Sequence, residues 1–114
     1  MHELYLAESM LNIVKEYAAE QHFKKVNSIS LSFGRLSCIE PKSLEFAFTI
    51  QARDSVAEGA ALQFKILPAM VHCLSCEKDS EVNTYGTVCP RCRCEDLMLV
   101  GGTEDLQILE MDVD

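Results

Sequence analysis

The chain of 114 residues contains no apolar run near the roughly 20 residues that a membrane-spanning helix needs. It also lacks the basic leader of a secretory signal, since it starts Met1-His2-Glu3. There is no internal repeat and no low-complexity tract. Positive charge is scarce: 10 Lys and Arg stand against 18 Asp and Glu, for a formal charge of −8. These absences exclude a spanning helix and place the expected location in the cytoplasm. They also argue against nucleic-acid binding, which depends on neutralising phosphates. The acidic balance suits a cation or a basic partner instead.

What is present can build one modest core. Hydrophobic residues make up 48% and charged residues 25%, and the length fits one domain with room for a small lobe. Residues 4–21 repeat Ala7, Met10, Leu11, Val14, Tyr17 and Ala18 at helical spacing, with Glu8, Asn12, Lys15, Glu16 and Glu20 opposite. The period then changes to two. Ile29, Leu31 and Phe33 alternate with Ser28, Ser30 and Ser32, which predicts a strand ending at Gly34. Residues 41–51 fit either period, and Pro41 in the first-turn position favours a helix. A loop over 53–60 precedes a second strand at 61–67. Residues 105–113 form a third strand, with Leu106 and Ile108 at its start.

The chemistry concentrates between these last two strands. Cys73-x2-Cys76 and Cys89-x2-Cys92 are two knuckles separated by 12 residues, each able to aim two thiolates at one ion, with a short hairpin bringing the second knuckle back. One knuckle alone would equally suit a thiol–disulfide redox motif. Four thiolates close a tetrahedral zinc site and leave no open position for substrate, so the metal is expected to be structural. Zinc on four thiolates would take the formal charge to about −10. The lobe from Pro68 to about residue 100 is too small to build a core without such an ion. His72, beside Cys73, and Cys94, two residues past Cys92, could each exchange into the ligand set; the plain reading keeps both outside it. Cys38, near Leu36 and Ile39, is expected to be a buried, inert thiol.

His2 offers a second metal site of a different kind. A histidine at that position is commonly a residue of a loose tail. A terminal amine, backbone nitrogens and the imidazole can also chelate one ion in adjacent rings, the tetragonal nitrogen geometry of Ni(II) or Cu(II). The helix begins at once, so this terminus is tied to folded structure, and the Glu3 carboxylate lies in the first turn, where negative charge is favoured. Amine and imidazole must both lose protons to bind, so affinity should fall as pH drops through about 6–7.

Taken together, Met1-His2-Glu3-Leu4, Gly34-Arg35-Leu36-Ser37-Cys38-Ile39-Glu40, Ala57-Glu58-Gly59, Cys89-Pro90-Arg91-Cys92 and Leu106-Gln107-Ile108-Leu109-Glu110-Met111 span the chain. With the cysteine quartet they resemble the HypA/HybF family of hydrogenase maturation proteins. The resemblance implies an α+β fold: two helices on a small three-stranded sheet, with an inserted zinc-ribbon-like lobe held by four cysteines. It makes 41–51 a helix and divides the chain into a nickel-binding domain over 1–67, a zinc lobe over 68–102 and a returning strand over 103–114. It implies a nickel metallochaperone, not an enzyme. His2 would be the nickel ligand, with backbone nitrogens of Met1 and Glu3, and Cys73, Cys76, Cys89 and Cys92 would hold zinc. The implied partners are a HypB-like GTPase, the large-subunit precursor of [NiFe]-hydrogenase and, for some members, urease maturation proteins. Where members often carry histidine after the last zinc cysteine, this chain has Arg93 and Cys94. Two other classes remain open on the residues alone. One is a zinc-ribbon protein-interaction module, and the other is a Cys-x-x-Cys redox protein, which accessible, reactive thiols would favour.

Overall fold

The computed structural model describes residues 2–83 and 88–114, with His2 as backbone only. Met1 and the His2 side chain, on which the nickel expectation rests, lie outside the described residues. The chain divides into two compact units. The first gathers Met1–Leu31, Ile39–Lys65 and Gln107–Asp114, and the second gathers Ser32–Cys38 and Ile66–Leu106.

In the first unit, helix α1 (His2–Gln21) buries Ala7, Met10, Leu11, Val14 and Ala18. These positions repeat at three and four residues, as an amphipathic stripe requires. Tyr17, expected on that stripe, is instead exposed at its edge. Strand β1 (Val26–Gly34) follows, and Ile29 and Leu31 point inward from it. Helix α2 (Pro41–Gln51) packs against α1 and buries Leu44, Ala47 and Phe48. Its start is well marked: Pro41 needs no N–H partner, and the Glu40 carboxylate accepts from Lys42 N at 3.1 Å. Strand β2 (Ala61–Leu67) flanks β1 on one side.

The last strand of the chain, β6 (Gln107–Val113), flanks β1 on the other side, giving the order β2-β1-β6. Lys24 N donates to Asp114 O and Asp114 N donates to Lys25 O, so β6 runs antiparallel to β1. A strand contributed from beyond the lobe is what the alternation at 105–113 anticipated. Buried apolar side chains come from both helices and from the central strand. The fold is therefore the expected α+β arrangement.

The second unit holds more regular structure than the sequence suggested. Strand β3 (Ala69–Cys73) is central, with β4 (Asp79–Val82) and β5 (Leu97–Gly101) antiparallel on either side. The β3–β4 hairpin turns on the first knuckle itself. The hairpin expected between the knuckles falls partly on residues 84–87, outside the described residues. Ala69, Val71 and Val82 form a small buried cluster, with Leu36, Leu97 and Leu99 packed on it.

Leu36 lies in a single 3-10 turn, Arg35–Ser37, that follows β1, and Leu36 N donates to Gly102 O at 2.7 Å. Backbones meet very closely here. A Cβ on Gly34 would lie 2.2 Å from Gly102 O, and one on Gly102 would lie 2.7 Å from Ala69 Cα. Gly102 also has φ +107, which L side chains avoid. Gly102→Ala should therefore destabilise the protein by about 2–4 kcal/mol, from backbone strain plus overpacking against main-chain atoms that cannot yield. Denaturant unfolding of the metal-loaded protein checks this; a loss below about 1 kcal/mol would contradict the packing described.

Candidate metal centre

Each knuckle is built by the same local hydrogen bonds. In the first, Cys73 N donates to Lys78 O at 3.0 Å and Glu77 N donates to Cys73 O at 2.9 Å. In the second, Cys89 N donates to Cys94 O at 2.8 Å and Arg93 N donates to Cys89 O at 2.8 Å. Backbone N–H groups also point at sulfur. Ser75 N and Cys76 N both reach Cys73 Sγ at 3.4 Å, and Arg91 N reaches Cys89 Sγ at 3.4 Å. The residue after the second cysteine is left-handed in both knuckles, with Glu77 at φ 58 and Arg93 at φ 64. Neither is glycine, so both carry the steric cost of that conformation. Arg93→Gly should accordingly raise stability by about 1 kcal/mol, read as a higher unfolding midpoint of the metal-loaded protein.

The two knuckles converge. The sulfurs of Cys73, Cys76, Cys89 and Cys92 all lie within 4.8 Å of one another. Cys73 and Cys92 approach to 3.5 Å, and Cys76 and Cys89 to 3.8 Å. Tetrahedral zinc with bonds of about 2.3 Å spaces its sulfurs about 3.8 Å apart, so the four thiols fit that ion. Cys73 and Cys89 are fully buried, Cys76 is partly so, and Cys92 is at the surface.

The electrostatics of the quartet are those of four acids forced together. The N–H of Cys76 pulls the Cys73 thiol down from 9.0 to about 6, aided by Ser75 N–H and opposed by burial. For Cys92, the N–H of Cys94 pulls down, but the Cys73 thiol, burial and the other two sulfurs outweigh it and push the group up to about 12. Cys89 is lowered, chiefly by the Cys92 N–H, and Cys76 is raised, chiefly by burial. Cys73 and Cys89 are eased toward the thiolate while Cys76 and Cys92 are held back from it; a divalent cation removes that conflict. Metal uptake near pH 7.5 should therefore release about two to three protons and not four. Cys76 and Cys92 each release one, Cys89 up to one, and Cys73 is already ionised. Calorimetry in buffers of different ionisation enthalpy counts them, and a release of four would contradict the preset charges.

The remaining candidates fall outside this cluster. Cys94 occupies in the second knuckle the place of Lys78 in the first, and its sulfur accepts from Asp96 N at 3.3 Å. His72 Nδ1 contacts Asp79 Oδ1 at 2.7 Å across the β3–β4 pair. Cys38 corrects an expectation: it is exposed, not buried, because the chain turns outward there through a left-handed residue at φ 65. At the other end of the chain, Glu3 Oε2 accepts from Glu40 N at 3.4 Å and Gln51 Nε2 donates to Leu4 O at 3.1 Å. Both ends of α2 therefore hold the first turn of α1. Neither contact was visible in the sequence, because the partners lie 37 and 47 residues apart.

The fold and the four-thiol centre are those of a small metal-handling protein, and comparison with known proteins narrows the class. The family model described as "Hydrogenase/urease nickel incorporation, metallochaperone, hypA" matches residues 1–113. The hydrogenase maturation factor HypA of Syntrophus aciditrophicus is 46% identical over 114 residues, covering all of both chains. That of Albidiferax ferrireducens is 37% identical, again over both full lengths. The solution structure of the Ni metallochaperone HypA from Helicobacter pylori is similar with a TM-score of 0.62 at 20% identity, over 97% of this chain and 96% of that one. A second solution structure of a HypA protein gives 0.68 at 19% identity, over 99% and 96%. At that identity the two structures speak for the fold. The chain belongs to the HypA family of hydrogenase maturation factors.

Among the described residues no helix is long and apolar enough to cross a membrane.

Proposed function

We propose that this chain carries Ni(II) at Met1-His2-Glu3 and hands it to the large-subunit precursor of a [NiFe]-hydrogenase, working with a HypB-like GTPase in the cytoplasm. The observation that carries the reading is family membership over residues 1–113, joined to a relative 46% identical end to end. His2 supplies its imidazole and backbone nitrogen, and the nitrogens of Met1 and Glu3 complete a flat four-nitrogen set of the kind Ni(II) prefers. The chain is a carrier and not a catalyst. A carrier must release its cargo, so moderate affinity at a chain end is useful. Glu3 has a further role in this account. Its carboxylate accepts from Glu40 N, which ties the first turn of α1 to the start of α2.

Zinc at Cys73, Cys76, Cys89 and Cys92 is structural in this reading. The spacing of the sulfurs supports it, and so does a complete set of four protein ligands. When bound, the ion supplies positive charge that four converging thiolates otherwise lack. The family description pairs hydrogenase with urease, so urease maturation proteins are a second class of client.

The test is reconstituted maturation. Nickel-loaded chain, the GTPase, GTP and the hydrogenase precursor should yield nickel in the large subunit. The same mixture with His2→Ala should not. Equal nickel transfer by the variant would sink the proposal.

A further inference from the structure

The two knuckles match in their local hydrogen bonds but not in how they are held to the sheet. The first joins β3 directly to β4, since Cys73 ends β3 and Asp79 begins β4. Strand pairing on both sides therefore fixes it. The second has β5 after it, from Leu97. One side chain also ties it to β4. Arg91, between Cys89 and Cys92, donates from Nε to Ser80 Oγ at 3.1 Å. Ser80 is on β4 and only 8% exposed. The backbone N–H of Arg91 meanwhile donates to Cys89 Sγ at 3.4 Å. A single residue thus touches a ligand sulfur with its main chain and the sheet with its side chain.

The position is telling because its counterpart in the first knuckle is Ser75, which makes the same N–H···Sγ contact to Cys73. That knuckle has no need of a long side chain, because its strands already hold it. A guanidinium is suited to the reach: its planar fork donates in a fixed direction, and its charge remains at any working pH.

We propose that Arg91, through Ser80, is a positioning residue for the metal in the quartet: it clamps the second knuckle to β4 and slows release of the ion. This rests on the reading that the quartet holds zinc. Release begins when one knuckle swings away and takes its two sulfurs with it. For the second knuckle to do so, the Arg91–Ser80 bond must break. Partners of this kind, one step removed from the ion, change metal binding substantially in other sites.

The test follows zinc leaving the full chain to excess chromogenic chelator. Metal analysis first establishes zinc content. Ser80→Ala and Arg91→Ala should each release zinc about three- to tenfold faster than wild type, a scale set by supporting residues elsewhere. The double variant should be no faster than the faster single variant, because both lose the same bond. Ser80→Thr keeps an acceptor oxygen and should remain within about twofold of wild type. Cobalt-substituted variants should keep the tetrahedral thiolate spectrum, which separates a looser clamp from a lost ligand. A wild-type chain without zinc refutes the quartet reading itself. With one zinc bound, a wild-type release rate in Ser80→Ala overturns the clamp alone. Acceleration in Arg91→Ala only also overturns it, since the effect then lies in the arginine and not in the bond, as do effects that multiply in the double variant, which show the two side chains acting independently.

Discussion

Cys89→Ser should lose its zinc and, with it, the ordered sheet of the second unit. The buried apolar cluster there is small: Ala69, Val71 and Val82, with three leucines packed around it. So little buried surface cannot offset the ordering of a unit of about fifty residues. Structural zinc contributes about 10–16 kcal/mol of apparent binding energy in comparably small folds, and a serine at one of four positions forfeits much of it. Cys89 is a severe place to cut. It is fully buried, its N–H closes the knuckle on Cys94 O, and its sulfur accepts from Arg91 N. Hydrogen exchange by mass spectrometry reads the outcome by segment. Amides of β3, β4 and β5 should lose protection, while those of α1 and α2 should keep theirs, because their buried side chains lie in the first unit. Unchanged protection across β3–β5 in a zinc-free variant would show that the lobe stands without the ion. Treating the native protein with chelator should reproduce the effect.

Some of this was legible in the chain and some was not, for physical reasons. The α1 stripe is long enough for its period to be unmistakable, and only Tyr17, at its edge, departed from it. The four cysteines converge as their spacing requires. Residues 41–51 fit both periods because Leu44, Phe46, Phe48 and Ile50 are all apolar; the structure resolves them as a helix with Phe46 and Ile50 exposed. The strands of the lobe were missed because they are short. β4 reads Asp-Ser-Glu-Val over four residues, and β3 carries His72 and Cys73, so neither shows an apolar alternation. Cys38 was misplaced because its neighbours Leu36 and Ile39 are apolar, whereas a left-handed turn at that residue sends the thiol outward. The Arg91–Ser80, Glu3–Glu40 and Gln51–Leu4 contacts are tertiary and leave no periodic trace.

His2→Ala should abolish nickel binding outright, the largest functional effect expected of any single substitution here. The imidazole is the one side-chain donor in the proposed set, and the remaining nitrogens belong to the main chain. The variant should keep its zinc, because the quartet that converges among the described residues is Cys73, Cys76, Cys89 and Cys92. It should also keep its fold, because the buried stripe of α1 among the described residues runs from Ala7 to Ala18. Extending or acetylating the terminus should weaken nickel in the same way, since the amine is then altered while His2 is intact.

The most direct measurement is a nickel titration of the zinc-loaded protein, wild type beside His2→Ala, with metal analysis of both. The account predicts one Ni(II) per wild-type chain, none in the variant, and equal zinc in the two. Undiminished nickel affinity in His2→Ala, or nickel gained only as zinc is lost, would contradict it.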